Sequence, residues 1–241
     1  MTEPRRIVVA GAHGKMGRAL VPLLEARDDV EVVGRVGRGD DLRAALRAGR
    51  ATFLLDVTTP DAVAAHARLA LEEGAHAIVA TTGLADSERP ALDRLARERG
   101  RGLLVAPNLS PVVVLLQAAA RRLVPYLSRV EILESHHEAK RDAPSGTSRA
   151  TARQLARAGA KPGPDLGDPA PRGLDVDGVR VHSLRLPGLH ARQEIRMASA
   201  HEGVTLAHEA YGREAYLAGV LLALDRLPQH VGWVDGLEPL L

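Results

Sequence analysis

Over its first hundred residues the chain alternates short apolar runs with longer amphipathic stretches. Arg6-Ile7-Val8-Val9-Ala10, Val30-Glu31-Val32-Val33-Gly34, Thr52-Phe53-Leu54-Leu55-Asp56-Val57, Ala77-Ile78-Val79-Ala80 and Gly102-Leu103-Leu104-Val105-Ala106 are short and largely apolar. Between them, apolar positions recur with helical spacing over 18–26, 42–48, 61–74 and 87–99. Strands apolar on both faces, alternating with helices of about ten residues, predict α/β architecture with a doubly wound parallel sheet.

The rhythm changes after Asn108. A helix is predicted over 111–123, a strand over Arg129–Glu134, a polar loop over 135–143 and a helix over 148–158. The stretch 159–178, crowded with Gly, Pro and Asp, reads as a loop. Runs at 179–186, 193–197 and 204–208 predict antiparallel strands, and a last helix over 215–227 is expected to return to the first unit. The expected division is a dinucleotide-binding domain of residues 1–109 and 216–241 and an α+β domain of 110–215.

Composition narrows the function classes. The chain has 241 residues, 45% of them hydrophobic, enough for two modest cores. It has no Cys, which excludes disulfides and thiolate catalysis. No apolar run approaches the ~20 residues a membrane helix needs, and no signal peptide is read at Met1–Arg6; the expected location is the cytoplasm. The sequence pI is about 9.3, but net charge is only +2 and aromatics are 2%. Nothing concentrates cations or offers bases a stacking surface, so no nucleic-acid partner is expected.

Two segments carry candidate chemistry. Gly11-Ala12-His13-Gly14-Lys15-Met16-Gly17 joins the first strand to the first helix. A glycine turn there aims backbone amides and a helix N-terminus at a pyrophosphate. Its G-x-x-G-x-x-G spacing departs from the usual G-x-G-x-x-G. The acid expected near the second strand end to hold the adenosine ribose is absent; Gly37 stands there between Arg35 and Arg38. Arginine suits a 2′-phosphate, so Arg38, helped by Lys15, points to NADPH over NADH. In the competing reading both arginines are surface residues and Asp40 or Asp41 reaches the ribose.

The second segment runs Glu134-Ser135-His136-His137-Glu138-Ala139-Lys140-Arg141-Asp142-Ala143-Pro144-Ser145-Gly146-Thr147 and opens a helix. Ser145 or Thr147 can cap that helix, whose first amides form an anion site. His136, His137 and Lys140 add proton donors beside it. A reductase of an anionic substrate needs such groups to hold carboxylates and quench developing negative charge. A solvated loop with a structural His pair is the alternative; a metal site is disfavoured for want of a third ligand. The chain's Lys and Arg total 32, yet only Lys15, Lys140 and Lys161 are lysines, so a Lys here suggests a role guanidinium cannot fill.

This second segment closely resembles the signature of the dihydrodipicolinate reductase family of bacterial lysine and diaminopimelate synthesis. The resemblance extends through Val9–Gly17, Asp56-Val57-Thr58-Thr59-Pro60, Ala80-Thr81-Thr82-Gly83, Ala106-Pro107-Asn108-Leu109-Ser110 and Gly236–Leu241. It implies a Rossmann-like NADPH- or NADH-binding unit and a substrate unit whose open mixed sheet builds a homotetramer. It implies that Gly11, Ala12, His13, Gly14, Lys15, Met16 and Gly17 carry the pyrophosphate. Ala80, Thr81, Thr82, Ala106, Pro107, Asn108 and Leu109 would lie near the nicotinamide. His136 matches the family's proton donor/acceptor and Lys140 its proton donor; His137, Gly146 and Thr147 match contacts to a cyclic dicarboxylate. The implied reaction is NAD(P)H reduction of 4-hydroxy-tetrahydrodipicolinate to tetrahydrodipicolinate with loss of water, with no metal. Three residues depart from the pattern: Ala139 replaces a further His, Leu109 a usual Phe, and Gly37 the usual acid. Two other readings stay open, a different two-domain dehydrogenase and a non-enzymatic dinucleotide sensor.

Overall fold

A computed structural model describes residues 3–106, 108–163 and 172–241. The chain divides into two compact units, Met1–Pro111 with Arg213–Leu241, and Val112–Gly212.

In the first unit, β1 (Arg5–Ala10), β2 (Val30–Val36), β3 (Phe53–Asp56), β4 (His76–Val79), β5 (Gly102–Val105) and β11 (Gly232–Asp235) form one sheet in the order β11-β5-β4-β3-β1-β2, every neighbouring pair parallel. Helices α1 (Lys15–Glu25), α2 (Leu42–Ala48), α3 (Val63–Glu72) and α4 (Arg89–Glu98) make the crossovers, and α7 (Leu217–Arg226) belongs to the same unit. β3 and β4 are wholly buried, which explains their unbroken apolar runs. The edge strand β11 was missed. It is four residues long behind Pro228, too short for periodicity to register. β2 reaches Val36 rather than Gly34, because β1 pairs with it as far as Ala10↔Val36, and a register shift between Ile7 and Val8 takes up one extra residue of β2.

In the second unit, β6 (Arg129–His136), β7 (Leu174–Val176), β8 (Val179–Arg185), β9 (Ala191–Ala198) and β10 (Gly203–Ala210) form a mixed sheet in the order β10-β9-β6-β8-β7. α5 (Pro111–Leu123) and α6 (Gly146–Arg157) supply Ala120, Ala152 and Leu155 to a core with Val130, Ile132, Val181, Ile195 and Met197. Three expectations are corrected. β8 runs parallel to β6, not antiparallel. β6 continues two residues past Glu134, placing Ser135 and His136 in the sheet rather than in a loop. β7 lies inside the stretch read as loop: Asp177 and Gly178, both with positive φ, close a β7–β8 hairpin as an Asp-Gly turn should. Residues 164–171 of that stretch lie outside the described residues. None of the described helices is long and apolar enough to cross a membrane.

One buried carboxylate ties the strand ends of the first unit together. Asp56, fully buried at the end of β3, accepts from Thr58 N–H at 3.0 Å and from the Thr58 and Thr81 hydroxyls at 2.7 Å each. Its other oxygen meets His66 Nδ1 on α3 at 2.7 Å. Burial raises its pKa, but the bonds from His66, Thr58 and Thr81 prevail and hold the carboxyl below the usual range. A group depressed in the folded state stabilises above its unfolded pKa of about 4 and loses that contribution as pH falls through the folded value. Asp56→Ala is expected to cost about 2–4 kcal/mol at pH 7 in a urea titration. Asp56→Asn is expected to flatten the acid limb of the stability profile.

Candidate active site

The first candidate site lies where the strand order reverses in the sheet. From β1 the chain crosses to β2 on one side, and β3 then takes the other side. The loops after β1 and β3 diverge there, as at the ligand-binding switch point of open α/β sheets. Gly11 has φ +84°, and a Cβ on it would sit 2.7 Å from Val57 O. A Cβ on Gly17 would meet Gly11 O at 2.4 Å, so glycine lets α1 press onto its own loop. Gly14 N–H donates to Gly11 O at 2.9 Å, and α1 starts with no side-chain cap. Backbone thus lines the turn, with Ala12 buried and His13, Gly14 and Lys15 exposed around it; Met16 is half-buried. A dinucleotide pyrophosphate fits that lining.

Arg35 and Arg38 have separate fates. Arg35 lies within β2 and bonds Glu25, its Nε at 2.9 Å. Arg38 is exposed on the following loop and makes no ion pair among the described residues. Both loop acids are engaged: Asp40 accepts from Gly37 N–H at 2.7 Å, and Asp41 caps α2 through Ala44 N–H at 3.0 Å. A Cβ on Gly37 would lie 2.8 Å from the His13 ring, so glycine lets the two loops approach.

The remaining cofactor candidates sit at the ends of β4 and β5. Ala80 N–H donates to Asp56 O at 3.0 Å, Thr81 is buried on Asp56, and Thr82 is exposed. Ala106 N–H donates to Val79 O at 2.9 Å, and Asn108 Oδ1 accepts from Ser110 N–H at 2.9 Å. Pro107 lies outside the described residues. Leu109 is 2% exposed. Gly219 of α7 abuts its carbonyl so closely that a Cβ would fall 1.9 Å away.

The second candidate site belongs entirely to the second unit. β6 delivers Glu134 and His136 on the face that carries Val130 and Ile132, since alternate strand residues share a face. His136 Nε2 lies 3.1 Å from Glu134 Oε2. That contact is off the hydrogen-bond axis, leaving Oε2 without an in-line donor among the described residues. Oε1 accepts from Arg185 at 2.8 Å. Burial raises the Glu134 pKa, but the His136, Arg185 and Ser183 contacts outweigh it and bring it down to about 2. Lys140 N–H donates to His137 O at 3.1 Å, forming a turn, and Lys140 Nζ lies 2.7 Å from Asp142 Oδ1. Burial raises the Asp142 pKa, and the Lys140 contact turns the net shift downward.

Ser145 rather than Thr147 caps α6, its Oγ accepting from Ser148 N–H at 3.2 Å. A Cβ on Gly146 would meet nothing within 4 Å, and its φ lies outside the left-handed region. Neither backbone geometry nor packing therefore requires glycine there; open space at the helix start remains. Thr147 O accepts from the Thr151 hydroxyl at 2.9 Å. His137 is exposed. This unit thus gathers His136, His137, Lys140, Gly146 and Thr147 along one strand-end–loop–helix segment. Sequence reading missed Glu134 and Arg185; only the register His136↔Arg185 brings the latter to the site. A cavity of about 500 Å³ near Arg129, Lys161 and Arg196 lies at the opposite end of β6, about 23 Å away at strand rise, and contains none of these residues.

A doubly wound unit with a backbone-lined switch point, joined to an α+β unit bearing proton donors at a helix start, defines an oxidoreductase of the nicotinamide-dependent class. The chain belongs to the dihydrodipicolinate reductase family: its N-terminus model matches residues 5–109 and its C-terminus model residues 112–241. A 4-hydroxy-tetrahydrodipicolinate reductase of Beutenbergia cavernae is 40% identical over 97% of both chains. That of Streptomyces coelicolor is 39% identical over 97% of this chain and 96% of its own. The dipicolinate-bound dihydrodipicolinate reductase from Paenisporosarcina sp. TG-14 superposes with a TM-score of 0.89 at 30% identity, covering 99% of this chain and all of that one. An amine dehydrogenase from Mycobacterium smegmatis shares the fold alone, with a TM-score of 0.67 at 13% identity over 97% of this chain and 95% of its own.

Gly146→Ala supplies a direct check on the open helix start. Its melting temperature is expected to stay within about 2 °C of wild type, as for a surface change without a clash. Its KM for the dicarboxylate is expected to rise at least about tenfold, the effect of roughly 1.4 kcal/mol of lost binding. An unchanged KM contradicts the assignment.

Proposed function

We propose that the chain reduces 4-hydroxy-tetrahydrodipicolinate to tetrahydrodipicolinate with NAD(P)H, serving lysine and diaminopimelate synthesis. One observation carries this reading: the second unit sets His136 and Lys140 in the segment that leads to the open Gly146 helix start. The first unit is the cofactor domain and the second the substrate domain. Gly11 to Gly17 hold the pyrophosphate, and Arg38 the adenosine 2′-phosphate. Ala80, Thr81, Thr82, Ala106, Pro107, Asn108 and Leu109 border the nicotinamide, Thr81 through its backbone since its hydroxyl is engaged by Asp56. When bound, the cofactor supplies the hydride.

The chain's own residues do the rest. Gly146 and Thr147 hold a substrate carboxylate with first-turn amides and a hydroxyl. His137 lies one residue beyond the strand end, exposed and available as a further donor to the substrate. Lys140, steadied by Asp142, is the proton donor, and His136 the donor/acceptor at the strand end. The net change adds one hydride and one proton and expels one water. The sheet face that carries Glu131, His182, Glu194 and Arg196, opposite the α5–α6 core, is the surface for a homotetramer in the cytoplasm.

The test is NAD(P)H oxidation that depends on freshly prepared aspartate semialdehyde–pyruvate condensation product. Turnover is expected; cofactor binding without turnover favours a dinucleotide sensor instead. Lys140→Ala is expected to lower kcat by about 10²–10⁴-fold, the usual loss for a general acid, and a loss below about tenfold contradicts the role. NADPH is expected to give the higher kcat/KM. Arg38→Ala is expected to reduce that value about tenfold or more for NADPH while leaving NADH within about threefold. A clear wild-type preference for NADH overturns this part of the reading.

A further inference from the structure

Arg185 ends β8 directly opposite His136, with its side chain largely buried. Four contacts occupy its guanidinium. Nε donates to Lys140 O at 3.2 Å, and one terminal nitrogen to both Asp142 O at 2.6 Å and Glu134 Oε1 at 2.8 Å. The other terminal nitrogen donates to Leu184 O at 2.7 Å. Among the described residues the Lys140 loop has no strand partner, and it carries few apolar side chains, so its place depends on such bonds. The buried guanidinium needs an anion, and Glu134 is it. A lysine ammonium keeps the charge but cannot span these diverging acceptors with a rigid planar fork.

We propose that Arg185 is a positioning residue, whose fork fixes the loop carrying Lys140 to the strand end carrying His136. It touches no reacting atom. Loosening it leaves Lys140 in place chemically and displaces it geometrically, and a 1 Å misplacement can cost about 10² in rate. This inference rests on the proposed role of Lys140, and the experiment separates the two.

Arg185→Lys and Lys140→Ala are made singly and together in the full chain and assayed with the condensation product. Arg185→Lys alone is expected to lower kcat about 10–100-fold, with the KM for NADPH within about threefold of wild type. In the Lys140→Ala background the same change is expected to cost less than about threefold, since groups acting as one unit are not additive. A full multiplicative loss in both backgrounds marks a general structural role and overturns the inference. So does an Arg185→Lys kcat within about twofold of wild type, and in that case an impaired Lys140→Ala enzyme leaves the site reading standing. If Lys140→Ala itself keeps wild-type kcat, both fall. Should Arg185→Lys fail to fold, the pair Glu134→Gln/Arg185→Gln removes both buried charges together and enters the same cycle with the same expected outcomes.

Discussion

The second unit is organised around one buried ion pair. Glu134 has its side chain out of water, and Arg185 neutralises it at 2.8 Å. An unpaired carboxylate at that depth is costly, so the pair forms together or not at all. Strand pairing between β6 and β8 sets the two residues close enough, two positions apart in register. The same guanidinium bonds the Lys140 and Asp142 carbonyls, and Arg149 of α6 bonds the Ala143 and Pro144 carbonyls that lead into the helix. Glu134 stabilises the folded state above its unfolded pKa of about 4.3, and that contribution disappears as pH falls towards about 2. The pair is therefore intact across the neutral range in which a biosynthetic reductase works.

The first unit solves a different problem with backbone. Three glycines let a helix press on its own loop and on the neighbouring strand end, and Asp56 pins the loops after β3 and β4. The result is a turn lined by backbone beside the reversal of strand order, with His13 and Lys15 exposed around it.

Much of this was legible in the sequence. Of the five parallel strands of the N-terminal stretch, β3, β4 and β5 announced themselves because each is wholly buried, β1 because its last four residues are, and the edge strand β2, exposed at Glu31 and Arg35, through its valines; α6 did so because Ser145 caps it where the apolar spacing begins. The long segment from Glu134 to Thr147 was recognisable because proton donors and a capped helix start fall together in one stretch. What escaped were features fixed by partners distant in sequence. Arg185 reads as the end of a strand until pairing sets it opposite His136. The direction of β8 follows from a crossover, and β11 from the sheet edge it joins. The Thr81 hydroxyl is engaged by Asp56, 25 residues away in sequence, a bond no local pattern announces. The Asp177-Gly178 turn was legible and was masked by the glycine- and proline-rich run around it.

The central claim is that the strand end and helix start of the second unit receive the dicarboxylate. Its most direct test is a titration of dipicolinate followed through the backbone amide resonances of the isotopically labelled, full-length protein. The account predicts saturable shifts at Gly146, Thr147 and the 136–140 segment. Shifts clustered instead around Arg129, Lys161 and Arg196, with Gly146 and Thr147 unmoved, contradict it.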